Sequence, residues 1–230
     1  MKQLLKLIPL IASILIAGET LATHIPWVSQ SDFDQFNTEF GGATQYRAVA
    51  SAEPLGLIGF DVSIEATSAT IDGTTVVIPK VKFQKGLFAG FDISGYYSTI
   101  PTSGLTGIGN DGTMYGIALS YALWKGGAAK PALAIRGSYT QAEIPSVVST
   151  TTYGVDTTIS KGLGPITPYA GIGLVQMNST DLVGTGFSAN SRQNRYFYGL
   201  SFDLLLLNLT VESDTTGGIQ TYTVKGGFRF

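Results

Sequence analysis

From residue 57 onwards, apolar and polar residues alternate along the chain in one segment after another. Between Phe60 and Ala66 the apolar residues occupy every second position, and Asp61, Ser63 and Glu65 lie between them. The same alternation returns in 91–97, 115–121, 133–139, 153–159, 198–204 and 222–228. Successive side chains of a β-strand point to opposite faces, so the pattern predicts strands with one apolar and one polar face.

The chain is also poor in charge. Only 13% of its residues are charged, against roughly 25% in an average soluble domain. No apolar run is long enough for a membrane helix, which needs about 20 residues. Lipid offers no partners to free backbone N–H and C=O groups, so strands cross a membrane only as a closed barrel. The sequence therefore predicts an all-β fold, an antiparallel transmembrane β-barrel, and the slightly negative net charge of −2 argues against nucleic acid as a partner.

The first residues have the order of a secretory signal peptide. Lys2 and Lys6 precede an apolar stretch over 7–17, and small residues follow up to Ala22. We expect export and cleavage after Ala22. The chain has no cysteine, so neither a lipid anchor nor a disulfide is expected. The predicted parts are a signal peptide (1–22), a periplasmic or plug segment with a short helix (23–56) and the barrel (57–230).

The barrel segment divides into ten predicted strands. They lie near 57–71, 74–84, 87–98, 113–124, 130–141, 149–160, 166–177, 193–204, 207–214 and 219–230. Longer polar connections at 99–112, 142–150 and 178–192 alternate with short ones, as extracellular loops alternate with periplasmic turns in bacterial barrels. The segment 46–50 is an extra candidate strand that, with a further partner, would make twelve.

This topology sorts the outward-facing aromatic residues into two groups. Those near the extracellular strand ends are Tyr97, Tyr115, Tyr139, Tyr153 and Tyr222. Those near the periplasmic ends are Phe60, Phe83, Tyr121, Phe202, Phe228 and Phe230. Amphipathic rings form such girdles at the two membrane interfaces, so the sorting supports the predicted topology.

The last strand ends on Phe230, and mostly apolar residues, including Tyr222 and Phe228, occupy the alternate positions before it. In this pattern the chain resembles the outer-membrane β-barrel proteins of Gram-negative bacteria. The resemblance covers the signal peptide and residues 57–230, and Gly226 departs from it, since a larger apolar residue is usual there. It implies a location in the outer membrane, contact with its lipids, and recognition of Tyr222, Phe228 and Phe230 by the barrel assembly machinery. It identifies a class, without a function.

The alternation places six acids and six bases on the inward face. They are Asp61, Glu65, Lys80, Lys82, Asp92, Arg136, Asp156, Arg195, Asp203, Glu212, Lys225 and Arg229. An unpaired buried charge is costly, so opposite charges on adjacent strands are expected to pair. One interpretation is a salt-bridged lumen that only holds the barrel together, and the other is a constriction for a small solute. Ten strands lie just above the eight-stranded size that side chains fill, which favours the first.

A short helix is predicted before the barrel. Ser31 is its candidate cap, Phe33, Phe36 and Phe40 share one face, and Gly41–Gly42 is the expected stop. The helix either lies against the periplasmic rim or enters the lumen as a plug, with Arg47 reaching the lumen acids. The plug alternative resembles barrels that carry hydrophobic compounds.

Residues suited to catalysis are scarce. The one histidine, His24, lies just past the expected cleavage site, and the hydrolases of the outer-membrane class need a histidine as general base. We therefore predict that the protein is not an enzyme and uses neither a metal nor a cofactor. The G-x-G-x-x-G match at 107–112 precedes a strand instead of opening a helix, so a flexible loop is expected there.

The leading hypothesis is an envelope protein that is structural or passes a small solute, with a hydrophobic compound as one candidate, through a narrow or plugged lumen. The alternative is adhesion or interaction through extracellular loops. A third hypothesis is a secreted soluble barrel of the lipocalin type, with its apolar face inward.

Overall fold

The computed structural model describes residues 27–71, 73–100, 111–127 and 129–230. The signal peptide, His24 and residues 107–110 of the glycine motif lie outside them. Within these ranges one helix, α1 (Gln30–Thr44), precedes ten strands, and a 3₁₀ turn (Phe88–Gly90) lies between the second and third strands. The strands, β1 to β10, are Phe60–Ile71, Thr74–Gly86, Phe91–Ile100, Gly112–Lys125, Ala132–Ile144, Val148–Ser160, Ile166–Asp181, Ser188–Leu204, Leu207–Thr216 and Ile219–Arg229. No helix among the described residues is long and apolar enough to cross a membrane.

The strands form a closed antiparallel barrel in which each strand pairs with its neighbours in sequence and β1 pairs with β10. The predicted fold and strand count are confirmed. At the closing seam Glu65 lies opposite Lys225 of β10 and, on its other side, opposite Lys80 of β2. The candidate strand 46–50 is not a strand, because this part of the chain runs through the lumen and pairs with no neighbour.

Two of the predicted loops are mostly strand. β5 and β6 stay paired up to Ile144 and Val148, and β7 and β8 stay paired up to Thr180 and Ser188. These parts of the strands are polar on their outer face, which is why the sequence resembled loops. Their ladders continue because backbone pairing does not require apolar side chains. The result is a polar collar of β5–β8 that extends past the apolar part of the barrel, and the segment 101–110 lies outside the described residues.

The outer surface below this collar is apolar. Exposed residues such as Ile64, Val81, Ile117 and Ile172 form a band around the barrel. The exposed tyrosines at the upper edge of this band are Tyr97, Tyr115, Tyr153, Tyr196, Tyr198 and Tyr222. The exposed aromatic residues at its lower edge include Phe60, Phe83, Tyr121, Phe228 and Phe230. Since the apolar face points outward, the lipocalin-type hypothesis is wrong.

Helix α1 begins and ends at other residues than predicted. Its cap is Ser29, whose hydroxyl accepts a hydrogen bond from the backbone N–H of Asp32, while the Asp32 carboxylate accepts one from the Ser29 N–H. Gly41 and Gly42 do not stop the helix, which continues to Thr44. A Cβ atom at Gly41 would lie 2.8 Å from Met177 Sδ. A side chain at Gly41 would require Met177 to move, because the helix passes close to the barrel wall.

Candidate functional site

Helix α1 lies inside the barrel, in the half of the lumen away from the barrel termini. Trp27, Phe33, Phe36 and Phe40 are each at most 6% exposed. Their rings pack on one another, with centroids 4.7 Å apart for Trp27 and Phe36 and 5.3 Å apart for Phe36 and Phe40. The structure therefore decides between the two predicted positions, because the helix is a plug and not a rim element.

The first described residues of the plug lie at the end of the barrel opposite its two termini, which is the predicted extracellular end. Trp27 Nε1 donates to Asp181 Oδ1 at 3.2 Å, and Gln30 Nε2 donates to the Ser188 carbonyl at 2.9 Å. Asp181 lies above the apolar band. Burial opposes its charge, but hydrogen bonds from Thr185 and the loop backbone outweigh that effect and lower the pKa of Asp181. The carboxylate thus stays charged and fixes the loop around the plug entrance.

After α1 the chain continues as an extended stretch, and Arg195 of β8 binds the backbone of this stretch. The Arg195 guanidinium donates to the Tyr46 carbonyl at 3.1 Å. The same group pairs with Asp156 at 3.3 Å, with Glu212 at 3.5 Å and with Asp214. Three carboxylates from the wall thus orient one cation onto the backbone of the plug.

Lys82 of β2 also binds the backbone of the extended stretch. Its Nζ donates to the Arg47 carbonyl at 2.9 Å and to the Ala48 carbonyl, and pairs with Glu65 at 3.0 Å. Arg47 lies 4.0 Å from Asp214, so the plug residue predicted to reach the lumen acids does reach one. The middle of the lumen is filled, because every residue from Ala43 to Ala50 is buried.

The predicted charged residues all face the lumen, and ten of the twelve are buried; Asp203 and Arg229 are partly exposed near the periplasmic end. Asp61 pairs with Lys225 at 2.9 Å and with Arg229 at 3.1 Å. The strand register places Glu65 opposite Lys80, but Glu65 forms its ion pair with Lys82. The amino group of Lys80 instead lies 4.9 Å from the centre of the Tyr96 ring.

Two further residues at the plug were not predicted. Asp214 lies two positions after Glu212 on β9, and the same alternation places it inward. Asp181 lay inside the predicted loop 178–192, so no strand parity was available for it. Among the described residues, no cluster of histidine and carboxylate side chains could hold a metal ion.

A polar cavity remains between the plug and the wall at the periplasmic end. The centres of water molecules can occupy only about 20 Å³ of it, and Glu53, Asp92 and Arg136 are among its lining residues. Asp92 accepts hydrogen bonds from the Leu55 N–H at 3.3 Å and from Gln84 at 3.2 Å. The descending chain is therefore tied to the wall at this level as well.

Comparisons with known proteins found similar chains among solved structures alone. No protein-family model matches the chain, and no curated protein does. Among solved structures, a de novo designed transmembrane β-barrel aligns at 12% identity over 79% of this chain and 100% of its own, with a TM-score of 0.36. The KdgM porin, in complex with disordered oligogalacturonate, aligns at 10% identity over 75% of this chain and 99% of its own, with a TM-score of 0.38. Neisserial surface protein A aligns at 12% over 74% and 94%, with a TM-score of 0.35.

It is a transmembrane β-barrel. The closed ladder satisfies the backbone without water, and the apolar band between two aromatic girdles suits a hydrocarbon layer. The predicted fold is thereby confirmed, and the outer membrane remains its predicted location. The role of Tyr222, Phe228 and Phe230 in assembly stays a prediction, although all three side chains are exposed on the outer face.

Proposed function

We propose that the protein passes a small solute across the outer membrane when its N-terminal plug moves, and that the observed structure is the closed state. The proposal rests on the hydrogen bonds by which the barrel wall holds the plug. Arg195 and Lys82 bind backbone carbonyls of the extended stretch at Tyr46, Arg47 and Ala48. These contacts can exchange for water without unfolding the wall, because the strands keep their own ladders.

The size of the barrel supports the same conclusion. An eight-stranded barrel is filled by the side chains of its own wall, whereas larger barrels enclose a channel or a plug. Ten strands leave a space, and this chain fills it with a separate segment from residue 27 to residue 55. The lumen carboxylates are engaged in ion pairs or with the plug backbone, so the proposal includes no catalytic step.

A reversible lock tests whether the plug must move. A Cβ atom at Gly42 would lie 3.5 Å from the Cβ atom of Ile219, at the short end of the roughly 3.5–4.5 Å found in disulfides. The chain has no other cysteine. The double variant Gly42→Cys/Ile219→Cys therefore ties α1 to β10 when oxidised and frees it when reduced.

The readout is single-channel current in planar bilayers bathed in potassium chloride. We expect current openings from the wild type and from the reduced variant, and none from the oxidised variant. Equal currents in the two redox states would show that the plug need not move. A silent wild type would show that no ion passage occurs, and the barrel would then be structural.

A surface interaction is a second candidate, favoured by the polar collar of β5–β8. Its outer face carries Gln141, Glu143, Gln176, Asn190 and Arg192. Gln141 and Gln176 lie directly opposite the girdle residues Tyr115 and Tyr153. In the test variant, each of these outward collar side chains is replaced by Ser. Cells that express the wild-type protein would then bind a partner, and cells that express the variant would not. Equal binding by the two strains would exclude the collar as the interaction surface.

A further inference from the structure

We propose that the extracellular half of the lumen is a binding chamber for an apolar molecule with a single hydrogen-bonding group, and that α1 occupies this chamber in the closed state. The inference rests on the proposed movement of the plug. It adds the class of the solute and the place where it binds.

The lumen wall changes character along the barrel axis. Its periplasmic half carries the ion pairs of Asp61, Lys82 and Arg195. In its extracellular half, the first six strands contribute Ile71, Ile78, Ile100, Met114, Ile144 and Val148 to one buried cluster, beside buried polar residues such as Thr150, Ser179 and Asp181. A lumen that only conducted water and ions would not need apolar residues on six successive strands.

The side chains that now cover this wall belong to the plug. Trp27, Phe33, Phe36 and Phe40 are members of the same cluster. When α1 leaves, the wall loses these contacts and is exposed to water, at a free-energy cost that grows with the apolar area exposed. An apolar molecule of suitable size recovers that contact, so it competes with the helix for the chamber.

Between the Trp27–Asp181 hydrogen bond at the mouth of the chamber and the hydrogen bonds of Gln45 to Asp214 and Thr216 at its floor, one polar spot interrupts the chamber. Asn37 is fully buried, and its Nδ2 donates to Ser191 Oγ at 3.0 Å. Ser179 Oγ donates to Asn37 Oδ1 at 2.7 Å and lies 2.7 Å from Thr150 Oγ1. After departure of Asn37 these wall hydroxyls need a new partner. A ligand with one hydroxyl, carbonyl or amide group supplies it, because buried polar groups are costly without hydrogen bonds.

Trp27 reports on the chamber. The chain has two tryptophans, and Trp124 lies on the outer surface, so Trp124→Phe leaves Trp27 as the only tryptophan. Octan-1-ol, an alkyl chain with one hydroxyl, is the probe, titrated into the full-length protein in detergent micelles. We expect a saturable red shift of the emission as the ligand displaces α1 and Trp27 moves from its buried site, 2% exposed, into water.

The disulfide lock is the matched control. In the Trp124→Phe background, oxidised Gly42→Cys/Ile219→Cys is expected to show no shift, and reduction is expected to restore it. Octane at the same mole fraction in the micelle is expected to bind roughly 2- to 12-fold more weakly, the value of one neutral hydrogen bond. A shift of the same size in both redox states, or none in either, would overturn the chamber. Gated current without a shift would leave the proposed function standing and remove only this inference.

Discussion

Phe33 lies at the centre of the contact between the plug and the wall. Its side chain is 0% exposed, and its ring centre lies 5.0 Å from that of Trp27 and 6.3 Å from that of Phe187 in the loop between β7 and β8. Phe→Ala in a packed core costs about 3–5 kcal/mol. The ladders of the barrel do not involve Phe33, so we expect this cost to fall on docking of the plug. The undocked fraction should then rise by about two to three and a half orders of magnitude.

Hydrogen exchange measured by mass spectrometry checks this value. The amides of α1 exchange when the plug opens, so Phe33→Ala is expected to accelerate them by at least 100-fold while the amides of β6 and β7 keep their protection. Val28→Ala is the control, because Val28 is 84% exposed. An acceleration of less than tenfold, or equal acceleration in the strands, would refute the reasoning.

Three further predictions concern the ion pairs of Arg195, the direction of the plug in the barrel and the cap of α1. Arg195→Met leaves buried Glu212 without a cation and leaves Asp156 and Asp214 with only Arg136 and Arg47. It should destabilise the barrel by about 3–5 kcal/mol, seen as unfolding at lower temperature on gels, whereas Arg192→Met on the outer face should change little. Val28→Cys should react with a membrane-impermeant maleimide on intact cells and Ala129→Cys, in the β4–β5 turn, only after permeabilisation; the reverse result would contradict the direction of the plug. Ser29→Ala should cost about 1 kcal/mol and speed exchange in the first turn of α1, and an unchanged first turn would contradict its role as cap.

The inward set of residues could be predicted because strand parity is rigid. Once Asp61 faces the lumen, every second residue of β1 does too, and barrel closure transfers this choice to the neighbouring strands. Parity does not say which charges pair. Arg195 joins three acids from β6 and β9, and Glu65 prefers Lys82 to Lys80, since pairing depends on side-chain reach and on the carbonyls of the plug.

The plug was less predictable, because the ends of its helix and its position depend on contacts between residues that are distant in sequence. Ser29 and Ser31 each precede an aspartate by three residues, so the sequence offers two equivalent caps and only packing selects Ser29. Gly41 resembles a helix stop, yet its role depends on Met177, which lies far away in sequence. Whether the phenylalanines enter the lumen depends on the space that the closed barrel leaves, which no local pattern contains.

The position of α1 inside the lumen is tested most directly by the Gly42→Cys/Ile219→Cys pair in intact outer membranes. Mild oxidation followed by denaturation and labelling with a maleimide-linked polymer counts the free thiols. The structure predicts nearly complete loss of both thiols, while the pair Gly42→Cys/Ala129→Cys keeps both. Equal labelling of the two pairs after oxidation would show that the helix does not lie in the extracellular half of the barrel.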